Sequence, residues 1–258
     1  IVAFAGGVLR PVALRPPEFG VDLEDLRAAF SDRTAAVLVN DPHNPTGTVL
    51  SPETAREIAR LAVEHDAVIL TDEVYEHLIF DGARHASVLA HQELYARAFV
   101  VSSFGKTYHV TGWKTGYVVA PPALTAELRK IHQYVNFCGV TPLQFALADF
   151  MAACPEHVEE LPAFYQAKRD LFCDLLAGSR FTFTRAPGTY FQLADYSAIR
   201  PDLDDVAMAE WLTREHGVAS IPISVFYQDA PANLRLVRFC FAKREETLRQ
   251  AAERLCAI

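Results

Sequence analysis

Lysine is scarce in this 258-residue chain, and the five present, Lys106, Lys114, Lys130, Lys168 and Lys243, form no run with arginine. Lys and Arg together number 24 against 32 Asp and Glu, a formal charge of −8. Without a concentrated basic patch there is no footprint for nucleic acid, whose phosphates need dense positive charge. Cysteine is sparse and scattered (Cys138, Cys154, Cys173, Cys240, Cys256), with no CxxC pair and no histidine at zinc spacing. Such cysteines read as reduced thiols and imply a cytoplasmic setting. His77, His85 and His91 are not at ligand spacing either, so no metal is expected. No apolar stretch approaches the roughly 20 residues needed to cross a bilayer, which argues against a membrane, and no secretory signal is read. There is no GxSxG nucleophile elbow.

What is present is hydrophobic residue, 51% of the chain, enough for a large buried core. Four short apolar runs, Ala35–Asn40, Ala67–Thr71, Phe99–Ser102 and Thr115–Ala120, read as strands. Between the first two, Ser51 and Pro52 make an N-cap and first-turn pair that opens an amphipathic helix to about His65. Strands alternating with a capped helix predict βαβ units and a mostly parallel sheet covered on both faces. From Pro121 to about Leu176 the pattern turns helical, with breaks near Thr141-Pro142 and Cys154-Pro155. Beyond it, Phe181–Thr184, Tyr190–Asp195, Val218–Ser220 and Leu234–Phe241 read as strands, with helices near Asp204–His216 and Glu245–Leu255. The fold class is therefore α/β. The expected division is a large domain over 1–145, linking helices over 146–170 and a smaller α+β domain over 171–258.

Ligands of open α/β sheets bind where the carboxyl ends of the strands meet. After the first strand comes Asn44; after the second, Asp72 and Tyr75; after the third, Ser103 and Lys106. An amide, a carboxylate, a phenol, a hydroxyl and an amine are thereby predicted around one crevice. Lys130 and Lys168 lie on amphipathic helical stretches and Lys243 just past a strand, whereas Lys106 is wedged among glycine and aromatics in SSFGKTYHVTGWKTGY. An amine buried there has its pKa lowered by desolvation, as a Schiff-base-forming lysine requires. A surface turn lysine is the competing reading, and the neighbouring Asp72 and Tyr75 weigh against it.

The segments NDPHNPTGTV, TDEVYEHLIF, SSFGKTYHVTGWKTGY, GTYFQLADYS, EHGVASIPISVFY and LRLVRFCFAK follow one another in the order found in class I/II aminotransferases of pyridoxal-5'-phosphate (PLP) fold type I. The chain resembles that family over nearly its whole length, most of all its methionine and kynurenine–glutamine branch. The resemblance implies a PLP enzyme that moves an α-amino group from an amino acid, methionine-like or aromatic, to a 2-oxo acid. It implies Lys106 as the lysine that forms the Schiff base and carries the proton, Asp72 as the partner of the pyridine nitrogen and Tyr75 as a donor to the ring oxygen. Asn44 would contact that oxygen and the substrate carboxylate, and Arg238 would clamp the carboxylate with two parallel hydrogen bonds. Ser103 and Lys114 would bind the phosphate. The commoner family pattern has arginine where Lys114 stands, and lysine brings charge without a bidentate fork. The resemblance further implies a homodimer with shared active sites.

Family members carry, ahead of the segment matching residue 1, a phosphate-binding turn and a ring-stacking aromatic. The chain is therefore expected to be part of a longer protein, and to bind PLP poorly unless extended at its N-terminus. Two alternatives stand beside transamination: β-elimination from cysteine conjugates on the same lysine, and an inactive fragment of the fold. Retention of Lys106, Asp72, Tyr75 and Arg238 together weighs against the second.

Overall fold

A computed structural model of the chain describes residues 2–258. Helix α1 (Leu23–Ala29) starts where Asp22 accepts the backbone N–H groups of Glu24 and Asp25 at 2.8 and 3.0 Å. Strand β1 (Ala36–Asn40) follows, then α2 (Pro52–Glu64), capped as expected by the Ser51 hydroxyl, which accepts from Thr54 N. Next come β2 (Val68–Asp72), the single-turn α3 (Gln92–Tyr95), β3 (Ala98–Ser103), the equally short α4 (Phe104–Thr107) and β4 (Gly116–Val119). Three helices succeed them, α5 (Pro122–Val135), α6 (Thr141–Ala153) and α7 (Glu156–Leu176). The remainder is β5 (Phe191–Asp195), α8 (Asp205–His216), β6 (Ile221–Pro222), β7 (Leu236–Cys240) and α9 (Glu245–Cys256).

The first sheet has the order β1-β2-β3-β4. β1 and β2 run parallel, as do β2 and β3, while β4 returns antiparallel to β3. The antiparallel return comes through twelve residues between Ser103 and Gly116, which the short α4 and the turn after it take up, leaving no crossover helix. Cover falls on one face. Ile58, Leu61 and Leu26 pack with Val37 and Val39, and Ala62 and Leu94 pack with Ile69, Ala98 and Val100. On the opposite face Leu38, Val101 and Val118 are exposed. The expectation of helices on both faces is thus corrected for residues 2–258: the apolar runs demand cover, and these residues supply it once.

The second sheet, β5-β7-β6, is antiparallel throughout. Its core joins Leu176, Met208, Leu212, Phe239, Phe241, Leu248 and Leu255, the last two spaced seven apart on α9 as an apolar helical stripe requires. Two expected strands are reduced. Phe181–Thr184 contributes a single bridge, Thr182 to Asp195, and the strand foreseen at Val218–Ser220 lies instead at Ile221–Pro222. Gly217 explains the second shift, because it ends α8 in the left-handed region (φ 63°), and the chain needs several residues to re-extend.

The two sheets are stitched together by the segment after β2. Tyr75, Leu78 and Phe80 sit in the core of the second module, and Ile79 bridges Gly188. Asp81 takes both terminal nitrogens of the buried Arg169, the Nη2 contact being 2.9 Å. Phe241 is fully buried, its ring 6.3 Å from that of Phe80. Phe241→Ala is therefore expected to destabilise the fold by about 3–5 kcal/mol, the cost of a large aromatic deleted from a tight core. Val206→Ala, on the exposed side of α8, should stay within about 0.5 kcal/mol. Urea unfolding followed by circular dichroism compares the two.

Candidate active site

The carboxyl ends of β1, β2 and β3 meet at one edge, with Asn40 paired to Asp72 and Asp72 to Val101. Adjacent strands lie about 4.8 Å apart, so the three ends span roughly 10 Å. From β1 the chain enters the loop carrying Asn44, whose backbone N–H donates to Asn40 Oδ1 at 2.8 Å. The loop can seat only glycine at position 47. Gly47 has φ 76°, and a Cβ there would meet Ala186 Cβ at 2.8 Å and the Gly188 carbonyl at 2.9 Å. That contact presses the loop against the second module and brings Asn44 to Arg238 on β7, whose Nη1 donates to Asn44 Oδ1. The Asn44 amide is oriented as a result, with its Nδ2 donor turned away from the guanidinium.

Arg238 is half-buried, its Cζ 3.8 Å from the Phe191 ring centroid and 5.5 Å from that of Phe226. Burial lowers its pKa from the usual arginine value, and it stays charged at neutral pH. Its Nε is buried and has no hydrogen-bond partner among the described residues. An unsatisfied charged donor of this kind costs stability unless an anion reaches it.

At the end of β2, Asp72 is exposed and accepts from Val74 N at 3.1 Å, which leaves carboxylate capacity free. Tyr75, three residues on, is buried edge-on against Tyr190, ring centroids 5.2 Å apart. Burial pushes its phenol pKa far up, with the nearby Tyr190 adding to the effect, so the hydroxyl is neutral and able to donate.

Lys106 lies on α4, beyond β3. Ser103 caps that turn by accepting from Gly105 N at 3.1 Å. Thr111 Oγ1 and Val110 N both donate to the Gly105 carbonyl, at 3.1 and 3.0 Å. A Cβ on Gly105 would meet Thr111 Cα at 2.9 Å, so only glycine lets the two segments close this far. From α7, His157 Nε2 donates to the Thr107 carbonyl at 2.7 Å. Lys106 itself is half-buried, a more open position than the buried amine expected from sequence. Ser103 pairs with Gly116 across β3 and β4, which sets Lys114 near the same strand end. The Lys114 side chain is exposed on a left-handed backbone, φ 54°.

Asn44, Asp72, Tyr75, Ser103 and Lys106 thus occupy one edge, Arg238 reaches it from the second sheet, and Lys114 borders it. A cavity of about 310 Å³ borders this edge through Ser103, Phe104 and Thr107, and a second of about 460 Å³ lies beside His85; neither is lined by Asn44, Asp72, Lys106 or Arg238. Sequence reasoning missed Tyr190, Phe191, Phe226 and His157. The first three lie inside quoted motifs but act across the fold, and nothing local marks them.

The family model "Aminotransferase class I and II" matches residues 1–255, and the chain belongs to that family. Among its relatives, methionine aminotransferase of Escherichia coli is 51% identical over 254 residues, a match covering 98% of this chain and 65% of that protein. The probable N-succinyldiaminopimelate aminotransferase of Mycobacterium tuberculosis is 37% identical, with 100% and 67% covered. The kynurenine–oxoglutarate transaminase of Dictyostelium discoideum is 33% identical, with 98% and 67% covered. The chain thus spans about 65% of the length of the E. coli relative. In three dimensions it superposes on an E. coli structure with methionine aminotransferase function at a TM-score of 0.95 and 50% identity, covering 99% of this chain and 67% of that one. The M. tuberculosis N-succinyldiaminopimelate aminotransferase follows at 0.91 and 38%, with the same shares covered. These likenesses bear out the expected PLP fold type I architecture, mixed α/β with a parallel-rich sheet.

Proposed function

We propose that this chain forms the catalytic core of a PLP-dependent aminotransferase that moves an α-amino group from an amino acid to a 2-oxo acid. The observation that carries the reading is the convergence of Lys106, Asp72 and Tyr75 with the Asn44–Arg238 pair at the carboxyl edge of the first sheet. The donor set fits the cofactor: a carboxylate for a protonated ring nitrogen, a neutral phenol for a ring oxygen, an amine for an aldehyde, and a hydroxyl with a lysine for phosphate. When bound, PLP supplies a ring that withdraws electrons from the substrate Cα.

Each side chain then has a task set by its surroundings. Asp72, with free carboxylate capacity, balances the ring-nitrogen charge. Tyr75, kept neutral by burial, donates its proton in a hydrogen bond and does not give it up. Lys106 holds the cofactor and afterwards shuttles the proton to and from Cα, a task its half-buried position allows. Arg238 brings a charged guanidinium to the edge beside Asn44, where a substrate carboxylate would bind. Ser103 and Lys114 take the phosphate.

The exposed ring of Phe226, 5.5 Å from the Arg238 guanidinium, favours an apolar or thioether side chain, in keeping with the name of the E. coli relative. The working form is a cytoplasmic homodimer, and the partition is a large domain to about residue 145, linking helices to 170 and a small C-terminal domain. The test is to incubate the complete protein and PLP with 15N-methionine and a 2-oxo acid. The label is expected in a new amino acid. Release of labelled ammonia instead would replace transamination by elimination, and no transfer at all would defeat the reading.

A further inference from the structure

A second group of buried ionisable side chains lies behind the strand-end cluster. His85 Nδ1 is 3.0 Å from Asp41 Oδ2 and its Nε2 is 2.7 Å from Glu73 Oε2. The side chains are 11%, 5% and 1% exposed in that order. The other carboxylate oxygens are also engaged. Asp41 Oδ1 accepts from Leu50 N at 2.6 Å, while Glu73 Oε1 accepts from Thr71 Oγ1 at 3.2 Å and Val88 N at 3.4 Å. A neutral imidazole has one N–H and would turn its bare nitrogen's lone pair toward a carboxylate. Two buried carboxylates, one on each ring nitrogen, therefore call for an imidazolium.

Placement gives the cluster its meaning. Asp41 lies three residues before Asn44 and, through Leu50, closes the loop that carries it. Glu73 stands between Asp72 and Tyr75. We propose that His85 is a positioning residue of the cofactor site, an imidazolium clamp that bridges Asp41 and Glu73 and fixes the loop bearing Asn44 relative to the turn bearing Asp72 and Tyr75. Its role toward the cofactor rests on the aminotransferase reading; the clamp itself rests on the geometry.

The surroundings keep the ring charged. Asp41 faces it from the loop after β1 and Glu73 from the turn after β2. Its free edge joins the 460 Å³ cavity, which Glu76, His77 and Glu159 of α7 also line. His43, close enough to feel Asp41, is held down to about 4 by burial and stays neutral. For His85, burial pulls the pKa down, but the hydrogen bonds to Asp41 and Glu73 outweigh it and lift the pKa to about 9. Relative to an unfolded value near 6.5, the stability that the charged His85 adds is fully present below about 6.5 and is lost as pH rises through 9. Glu73 is itself lowered: burial acts against this, and the bonds to His85 and Ser87 prevail. That half of the clamp is kept above the unfolded carboxylate range and lost as pH falls below it.

The test uses the complete protein. Without cofactor, 15N-histidine NMR is expected to show both His85 nitrogens protonated at pH 7.5, with a midpoint near 9 that falls by more than about one unit in Glu73→Gln. A neutral tautomer at pH 7.5 would overturn the clamp. In PLP titrations, His85→Gln is expected to raise Kd roughly ten-fold at pH 7.5, a ratio shrinking toward one above pH 9.5 as the wild type loses its own clamp. Asp204→Ala, which removes the N-cap of α8, should lower Tm without changing Kd. A His85→Gln ratio near one, or one constant with pH, refutes the positioning role. If His85→Gln does not fold, Glu73→Gln carries the same Kd comparison. Failure of the wild type to bind PLP at all would defeat the functional reading, while the NMR experiment still decides the clamp.

Discussion

Lys106→Ala is expected to lower kcat for amino transfer by at least about 10⁴-fold while leaving the folded protein nearly as stable. Proton transfer by a positioned side chain contributes roughly 10²–10⁴ on its own, and the same residue supplies the nucleophilic amine, so both contributions vanish together. Stability should barely change, because the turn is held by groups other than the lysine: the Ser103 cap, the Thr111 and Val110 bonds to Gly105, and the His157 bond to Thr107. Lys106→Arg should be equally inactive, since a guanidinium keeps the charge but not an amine that can deprotonate. Steady-state rates with a thermal melt of each variant check this. A large fall in Tm would mean the lysine is structural.

Arg238→Gln is expected to reduce kcat/KM for the amino donor by about 10–100-fold, the loss of a hydrogen bond to a charged group worth roughly 1.5–3 kcal/mol. The loss should fall mainly on KM, because the carboxylate is bound before and during reaction alike. Arg238→Lys should recover part of it, retaining charge without the fork. The signature is selectivity: for an amine substrate lacking a carboxylate, wild type and variant should react equally. Equal losses on both substrates would place Arg238 in the framework of the site, holding Asn44, rather than on the substrate.

Much of the candidate site's placement was legible in the sequence because it is local. Asn44, Asp72 and Lys106 each follow an apolar run directly, and in parallel strands that puts them at one edge whatever the rest of the chain does. Ser51-Pro52 likewise fixes the start of α2 from two residues. Contacts made across the fold were hidden. Tyr190 and Phe226 meet Tyr75 and Arg238 only because β7 sits beside β5 and Gly47 lets the Asn44 loop press on residues 186–188. The histidine at 85 shows how a spacing rule can mislead: its partners are 44 and 12 residues away, so no window along the chain reveals them. Strand direction was also out of reach for β4, since an apolar run reads the same both ways. The left-handed glycine at 217 displaced β6 by a turn that composition does not announce.

Which amine holds the cofactor is the central question. Borohydride reduction of the complete, PLP-loaded protein, followed by peptide mass mapping, is predicted to leave the pyridoxyl group on the peptide containing Lys106 and on no other. Pyridoxyl on Lys114, or on any other lysine, would contradict it.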